Sequence, residues 1–584
     1  MKKIFLTILA ILGWQLTTLN VFASNPNSVT VTNGQSTATD ADGNVYVSGP
    51  FTSATLTFGT FTLTKSNCPS DKTNMFIVKY DPGGNVLWAT SAGGTGGNEY
   101  PLGLSTDAAG NVYVACDTPF PPTTFYSATS FGPTITMNNM SMVIIKYDPN
   151  GNLLWVQGIT GAVSQWQGLA VDEQGGNEYV YLTGSFSTTA TFGTTTLTSA
   201  GMADVFVAKY DANGNAIWAV GAGGSNTDLG AAIATDASGN IFITGHFNSP
   251  SVTFGNFTLS NGGLTDVFIV KYNPDGTVAW ATGAGGSGYD SPHYVATDYS
   301  GNVYITGYFR SPSITFGTFT LNNYYTPGPH GSWGSYLFIV KYDPAGNVLW
   351  AQTANTSAPG KGVATDASGN VFLTGYFASS LTFGTTTLSC QGSNDIYLVK
   401  YNANGNVIWA ESNGGAKSDL PHAITTDVSG NILVTGFFTS STITFGTTTL
   451  NISYSGDQDM FIAKYDPNGN STWANSAGSA PSGGGGGGHG KPKSAIAGSN
   501  DRLPDEITIY PNPTTGMITL STADSKPGII NISVLTMAGT EVSEQNVSEG
   551  NRETIIDLSS QPKGCYLLRI KAGEDLYMRK IIIE

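Results

Sequence analysis

Thr235-Asp236-Ala237-Ser238-Gly239-Asn240-Ile241-Phe242-Ile243-Thr244-Gly245, followed by Val267-Phe268-Ile269-Val270-Lys271-Tyr272-Asn273-Pro274-Asp275-Gly276, is the stretch that decides the fold. Asp236 to Asn240 is built from residues that bend easily and reads as a turn. A short strand from Ala232 to Thr235 precedes it, and Ile241 to Gly245 is a second strand. Val267 to Tyr272 is a third, Asn273 to Gly276 a second turn, and Val278 to Thr282 a fourth strand. Val252 to Leu259 reads as an added hairpin between strands two and three. Phe268-Ile269-Val270 is apolar on both faces, the pattern of a strand covered on both sides.

This unit recurs. The turn aspartate returns at Asp40, Asp107, Asp172, Asp236, Asp298, Asp366 and Asp427, at intervals of 61 to 68 residues. A tryptophan that closes the second phrase keeps step at Trp88, Trp155, Trp218, Trp280, Trp350, Trp409 and Trp473. A Phe-Gly pair inside a Thr-rich run lies between them at Phe58, Phe131, Phe192, Phe254, Phe316, Phe383 and Phe445. Three markers agree on seven copies. Four strands per copy, each copy buried by a neighbour on either side, predict an all-β, seven-bladed β-propeller with an inserted hairpin per blade. An open array or β-solenoid is the alternative, but it has no reason to stop at a ring-closing number.

The pairing of TDASGNVF at Thr365–Phe372 with VKYDPAGNVLW at Val340–Trp350 resembles the secreted bacterial β-propeller repeat over residues 29 to 478. That resemblance implies a fold and says little about function.

After Trp473 the composition changes. Residues 479–503 are a glycine-rich tether separating the propeller, residues 24–478, from a C-terminal region at 504–584. Gly485 to Lys491 approaches a phosphate-binding loop, but Pro492 follows where Ser or Thr is needed and no strand or helix flanks it. From Ile507 onward six or seven short strands predict a small β-sandwich. Tyr510-Pro511-Asn512-Pro513 with Gly516, the run containing Lys563, Gly564 and Tyr566, and Arg579-Lys580 before the closing isoleucines resemble the type A sorting domain of type IX secretion. Cys565 departs from the aliphatic residue usual before that tyrosine. The resemblance implies export across the outer membrane of a Bacteroidota-type bacterium, with the secretion machinery as partner and release or surface attachment to follow.

The address agrees with export. Lys2 and Lys3, the apolar run Ile4 to Leu12, and Val21-Phe22-Ala23 make a signal peptide with cleavage after Ala23. No segment reaches the ~18–20 apolar residues of a spanning helix. With 24 Lys+Arg against 40 Asp+Glu, the net charge of −16 gives no basic footprint for nucleic acid. Four cysteines without a CxxC spacing indicate neither a zinc site nor a disulfide framework.

The recurring aspartates invite a calcium or catalytic reading, and Asp40-Ala41-Asp42-Gly43-Asn44 resembles the start of a calcium loop. The distal glutamate is missing, and a residue present in every copy is more economically a turn-former. The seven tryptophans read as packing between blades. No cofactor or metal is expected, and no Gly-x-Ser-x-Gly or His-Glu-x-x-His signature is present. Function is expected where copies differ, on the rim reached by loops before strand one and after strand two. There Tyr100, Trp166, Asp228, Asp290, His293, Tyr325, His330, Trp333, Asp419 and His422 offer flat faces and polar edges suited to a glycan or peptide. Ordinary polar loops explain the same residues. The reading is a non-catalytic binding or adhesion scaffold. A polysaccharide hydrolase or lyase using Asp228, Asp290 and Asp419 is the alternative, and a structural surface component a third.

Overall fold

A computed structural model describes residues 34–65, 72–94, 98–118, 123–126, 134–137, 140–164, 168–324, 334–453 and 456–478. In the C-terminal region it describes 507–510, 517–522, 531–536, 541–545, 553–572 and 575–583. The expected signal peptide, the glycine-rich tether, Phe131, Trp166, Tyr325, His330, Trp333, Pro511, Asn512, Pro513 and Gly516 lie outside the described residues. The chain divides into two units, Met1–Gly483 and Gly484–Glu584.

In the first unit the same antiparallel meander recurs. In the fourth repeat, Asp228–Thr235 pairs with Ile241–Phe247, which pairs with Asp266–Tyr272, which pairs with Val278–Ala284. The other repeats follow the same order, with first strands at Ser36–Thr39, Tyr100–Thr106, Leu169–Gln174, Asp290–Thr297, Gly360–Thr365 and Asp419–Thr426. The expected hairpin is present as Ser251–Phe254 with Phe257–Ser260. Its Phe254 ring lies 4.9 Å from Phe268 of the third strand, so the Phe-Gly marker anchors the hairpin to its own sheet.

Six of the seven recurring aspartates bond the backbone of their own turn, while Asp172 lies within the strand Leu169–Gln174 and accepts from the Gln174 side chain. Asp236 Oδ1 accepts from the amides of Ser238 at 2.9 Å and Asn240 at 3.0 Å. At the calcium-like loop, Asp40 accepts from the amides of Asp42 and Asn44, takes the Tyr46 hydroxyl at 3.0 Å and pairs with Lys79 at 3.4 Å. Those carboxylates are engaged in shaping turns.

Each tryptophan reaches into the next repeat. Trp88 donates its indole N–H to the Pro149 carbonyl at 3.0 Å, Trp155 to Ala212 at 3.0 Å, Trp280 to Pro344 at 3.1 Å and Trp350 to Ala403 at 3.2 Å. The last repeat meets the first: Trp473 donates to Pro82 at 3.1 Å, and Thr39 Oγ1 donates to the Thr426 carbonyl at 2.9 Å. This all-β, repeat-by-repeat arrangement is a β-propeller.

The second unit holds two antiparallel sheets. Ile507–Tyr510, Met517–Thr522 and Glu553–Asp557 form one; Glu541–Gln545, Asn531–Thr536, Gly564–Ala572 and Asp575–Ile583 form the other. Ile518 and Ile556 from the first share a core with Ile532, Val534, Tyr566, Leu568 and Ile581 from the second. The strand Glu541–Gln545, rich in polar residues, escaped the sequence reading.

Candidate functional site

The first strand of every repeat faces one central cavity. Thr37, Leu104, Leu169, Ile233, Val295, Ala364 and Thr425, one from each repeat, line a space of about 280 Å³. Its wall is made of Ala, Val, Ile, Leu, Thr, Ser36, Gly103 and Tyr294, and among its lining residues there is no carboxylate.

The chemistry lies at the end of the cavity where the first strands begin. In five repeats the first strand carries a β-bulge at the same place. The residue left unpaired is Leu102, Ala231, His293, Lys361 or His422. A proline or glycine precedes each one: Pro101, Gly230, Pro292, Gly360 and Pro421. Proline is tolerated because this strand is the inner edge of its sheet, and a bulge there re-aims a side chain.

Three of the five bulge residues are basic, and they converge. The charge of Lys361 disfavours protonation of both His293 and His422, and His246 and His422 act in the same direction on His293. These groups come from four successive repeats. Burial is the larger cause in each case: it holds His246 down to about 4, His422 to about 3 and His293 well below the usual histidine range. Burial likewise lowers Lys361 to about 8. His293 Nδ1 lies 2.6 Å from the Gly360 carbonyl, so that nitrogen carries the proton and Nε2 is left as the acceptor. His246 Nδ1 is 3.1 Å from Ser291 Oγ.

Aromatic rings from the second strands frame the group. The His293 ring is 5.3 Å from Tyr308 and the His422 ring 5.6 Å from Phe437. The exposed Arg310 sits 5.2 Å over Tyr308, and Lys361 Nζ is 5.9 Å from the Tyr376 ring centre. Tyr308 and Tyr376 are half-buried. Across from them in sequence order, Asp117 occupies the equivalent second-strand position; burial pushes its carboxyl up to about 8.

Several expected site residues lie elsewhere than the sequence suggests. Asp228, Asp290, Asp419, His293, His422 and Tyr100 belong to first strands, not to loops. Asp228, Asp290 and Asp419 are fully buried. Asp290 accepts from the amides of Gly286, Arg310 and Ser311 and from the Ser311 hydroxyl at 2.6 Å. Asp228 does the same with Gly224, Asn248 and Ser249, and Asp419 with Gly415, Thr439 and Ser440. These carboxylates clamp the connection leaving strand two, and the expectation that they face a ligand is corrected. Tyr100 is half-buried opposite Asp117.

Lys361, His246, Arg310, Tyr308 and Tyr376 escaped the sequence reading. The signal that finds them is the alignment of the copies on their bulge position, five residues before the turn aspartate, and on the second-strand position that flanks it.

In the C-terminal unit, Tyr510 ends its strand and Lys563 is exposed on the turn that leads into Gly564. Tyr566 is buried and donates its hydroxyl to the Pro562 carbonyl at 2.7 Å, and Lys580 pairs in register with Leu567.

Residues 508–584 match the secretion system C-terminal sorting domain, and residues 252–278 match a β-propeller domain family of unknown function. An uncharacterised WD repeat-containing protein of Acanthamoeba polyphaga mimivirus is 26% identical over 476 residues, covering 67% of this chain and 33% of that protein. The regulatory protein FlaEY of Caulobacter vibrioides is 25% identical over 162 residues, covering 27% and 16%. The chain therefore spans a third or less of the length of these curated relatives. A structure of a protein of unknown function from Bacteroides caccae aligns at 14% identity over 55% of this chain and 81% of that one, with a TM-score of 0.28. A puromycin hydrolase aligns at 9% identity over 86% and 61%, with a TM-score of 0.39. The sorting domain makes this an exported protein of the cell surface or extracellular space. Among the described residues no helix is long and apolar enough to cross a membrane.

Proposed function

We propose that this chain is a non-catalytic binding protein of the cell exterior, built on a closed seven-bladed β-propeller of the secreted bacterial repeat type and delivered by its C-terminal domain. The contact face is the channel mouth framed by His246, His293, Lys361 and His422. One observation carries the reading. Five repeats share a bulge at the same place on the first strand, and three of the residues it leaves unpaired are basic. Bulges placed this way re-aim side chains next to sites. Seven first strands around one cavity, and bonds from the seventh repeat to the first, support the closed ring. A non-catalytic role is supported by the fate of Asp228, Asp290 and Asp419, whose oxygens are occupied by backbone amides. The test is a glycan and peptide array on the full-length chain, with each hit incubated and assayed for new reducing ends and unsaturated products. Saturable binding without product is expected, and turnover overturns the non-catalytic reading.

A second reading, a polysaccharide lyase or hydrolase, draws on Asp117. Its carboxyl is protonated near neutral pH and occupies the same second-strand position as His246 and Tyr308. Product formation that disappears in Asp117→Asn is the result that favours it.

A further inference from the structure

The mouth is basic in an acidic protein. Against a net charge of −16, Lys361, Arg310 and three histidines gather within the space of four repeats. Four other propeller lysines have carboxylate partners, Lys79, Lys146, Lys341 and Lys464 pairing with Asp40, Asp107, Asp298 and Asp427 at 3.0–3.8 Å, while Lys209, Lys271 and Lys400 donate to the carbonyls of Pro274, Pro344 and Pro467. Lys361 has no carboxylate partner among the described residues, although burial lowers its pKa. Asp290 and Asp419, three residues before His293 and His422, each have their oxygens filled by four donors. A half-buried ammonium without a counter-ion is costly, and an incoming anion relieves that cost.

We propose that the channel mouth binds the carboxylate of an acidic sugar, with Lys361 and Arg310 as its charge partners and Tyr308 and Tyr376 as faces for the ring. This rests on the reading of the propeller as a binding protein. The two positive charges of Lys361 and Arg310 match one carboxylate. Half-buried tyrosines give flat apolar faces whose size suits a pyranose. The acidic remainder of the surface gives no long-range attraction for a polyanion, so recognition is confined to the recess itself.

Calorimetric titration of the full-length chain with trigalacturonate and with neutral galactotriose, at 0.15 M salt and pH 7, tests this. Trigalacturonate is expected to bind saturably and galactotriose at least about tenfold more weakly. Lys361→Met is expected to lose about tenfold in affinity for trigalacturonate, and Lys361→Arg to keep most of it. Equal affinity for the two sugars, or an unchanged Lys361→Met, overturns the proposal. If Lys361→Met does not fold, as judged by near-ultraviolet circular dichroism, the comparison of the two sugars on the unmodified chain still decides. Other array ligands bound while trigalacturonate is silent would reject the acidic sugar and leave the binding reading standing. A silent array together with a silent titration rejects both.

Discussion

The indole N–H of Trp473 lies 3.1 Å from the carbonyl oxygen of Pro82, a residue 391 positions earlier in the chain. The same carbonyl accepts from Lys464 at 3.2 Å, and Gly84, two residues on, lies under the Trp473 ring. The six earlier repeat tryptophans, Trp88, Trp155, Trp218, Trp280, Trp350 and Trp409, each make the equivalent bond to the repeat that follows, so this contact joins the last repeat to the first by the bond that joins all the others. Gly84 has φ 88°, and a Cβ there would meet the indole at 2.8 Å, which is why glycine stands in that turn.

Removing the contact separates its two parts. Trp473→Phe keeps a ring over Gly84 and loses one hydrogen bond, at an expected cost of about 1 kcal/mol. Trp473→Ala also loses the packing and is expected to cost about 3 kcal/mol. Urea unfolding measures both. An unchanged midpoint in Trp473→Ala would mean that the repeats do not depend on this junction.

Asp290 is a clamp and behaves as one. Asp290→Asn keeps the shape but turns charge-assisted bonds to Ser311 and Arg310 into weaker or mismatched ones. The expected loss is on the order of 2 kcal/mol. Affinity for a ligand at the mouth should change little once folding is corrected for. A folded, equally stable Asp290→Asn with abolished binding would return this carboxylate to the list of ligand contacts.

Acid stability follows from the half-buried histidines. His246 has a folded pKa near 4 against an ordinary 6.5, so between those values the unfolded chain binds the extra proton. Its contribution is present above pH 6.5 and is lost as pH falls toward 4. Asp117 works the other way: its folded pKa near 8 stands above an ordinary 3.8, so stability from it is lost as pH rises through that window. Thermal unfolding at pH 4.5 and 7.5 reads both signs. Relative to the unmodified chain, His246→Gln should gain at pH 4.5 and Asp117→Asn at pH 7.5.

Export depends on the last domain. A chain truncated before residue 504 is expected to accumulate in the periplasm, with surface and medium fractions depleted by tenfold or more on immunoblots. Undiminished surface protein would show another route outward.

The periodic parts of this architecture were open to reading because their chemistry is local. A turn aspartate with its Gly-Asn partner, a tryptophan and a Phe-Gly pair each perform one task inside one repeat or at one junction, so their spacing locates every repeat. The starts of the first strands were hidden. Pro292, Pro421 and the glycines around Lys361 look like loop, and only their place on an inner sheet edge makes them strand. That error put Asp290 and His293 on the same footing, whereas one is buried and clamped and the other is turned to the mouth by its bulge. Lys361, Arg310 and Tyr376 carry no motif. Their meaning comes from convergence across repeats, which a single chain does not display along its length.

The array comparison of the unmodified chain with a Lys361→Met/Arg310→Gln double variant tests the central claim most directly. The account predicts that acidic glycans bound by the unmodified chain are lost from the variant while its unfolding curve is retained. The same hits, at the same strength, on the double variant would contradict it and move the contact face away from the channel mouth.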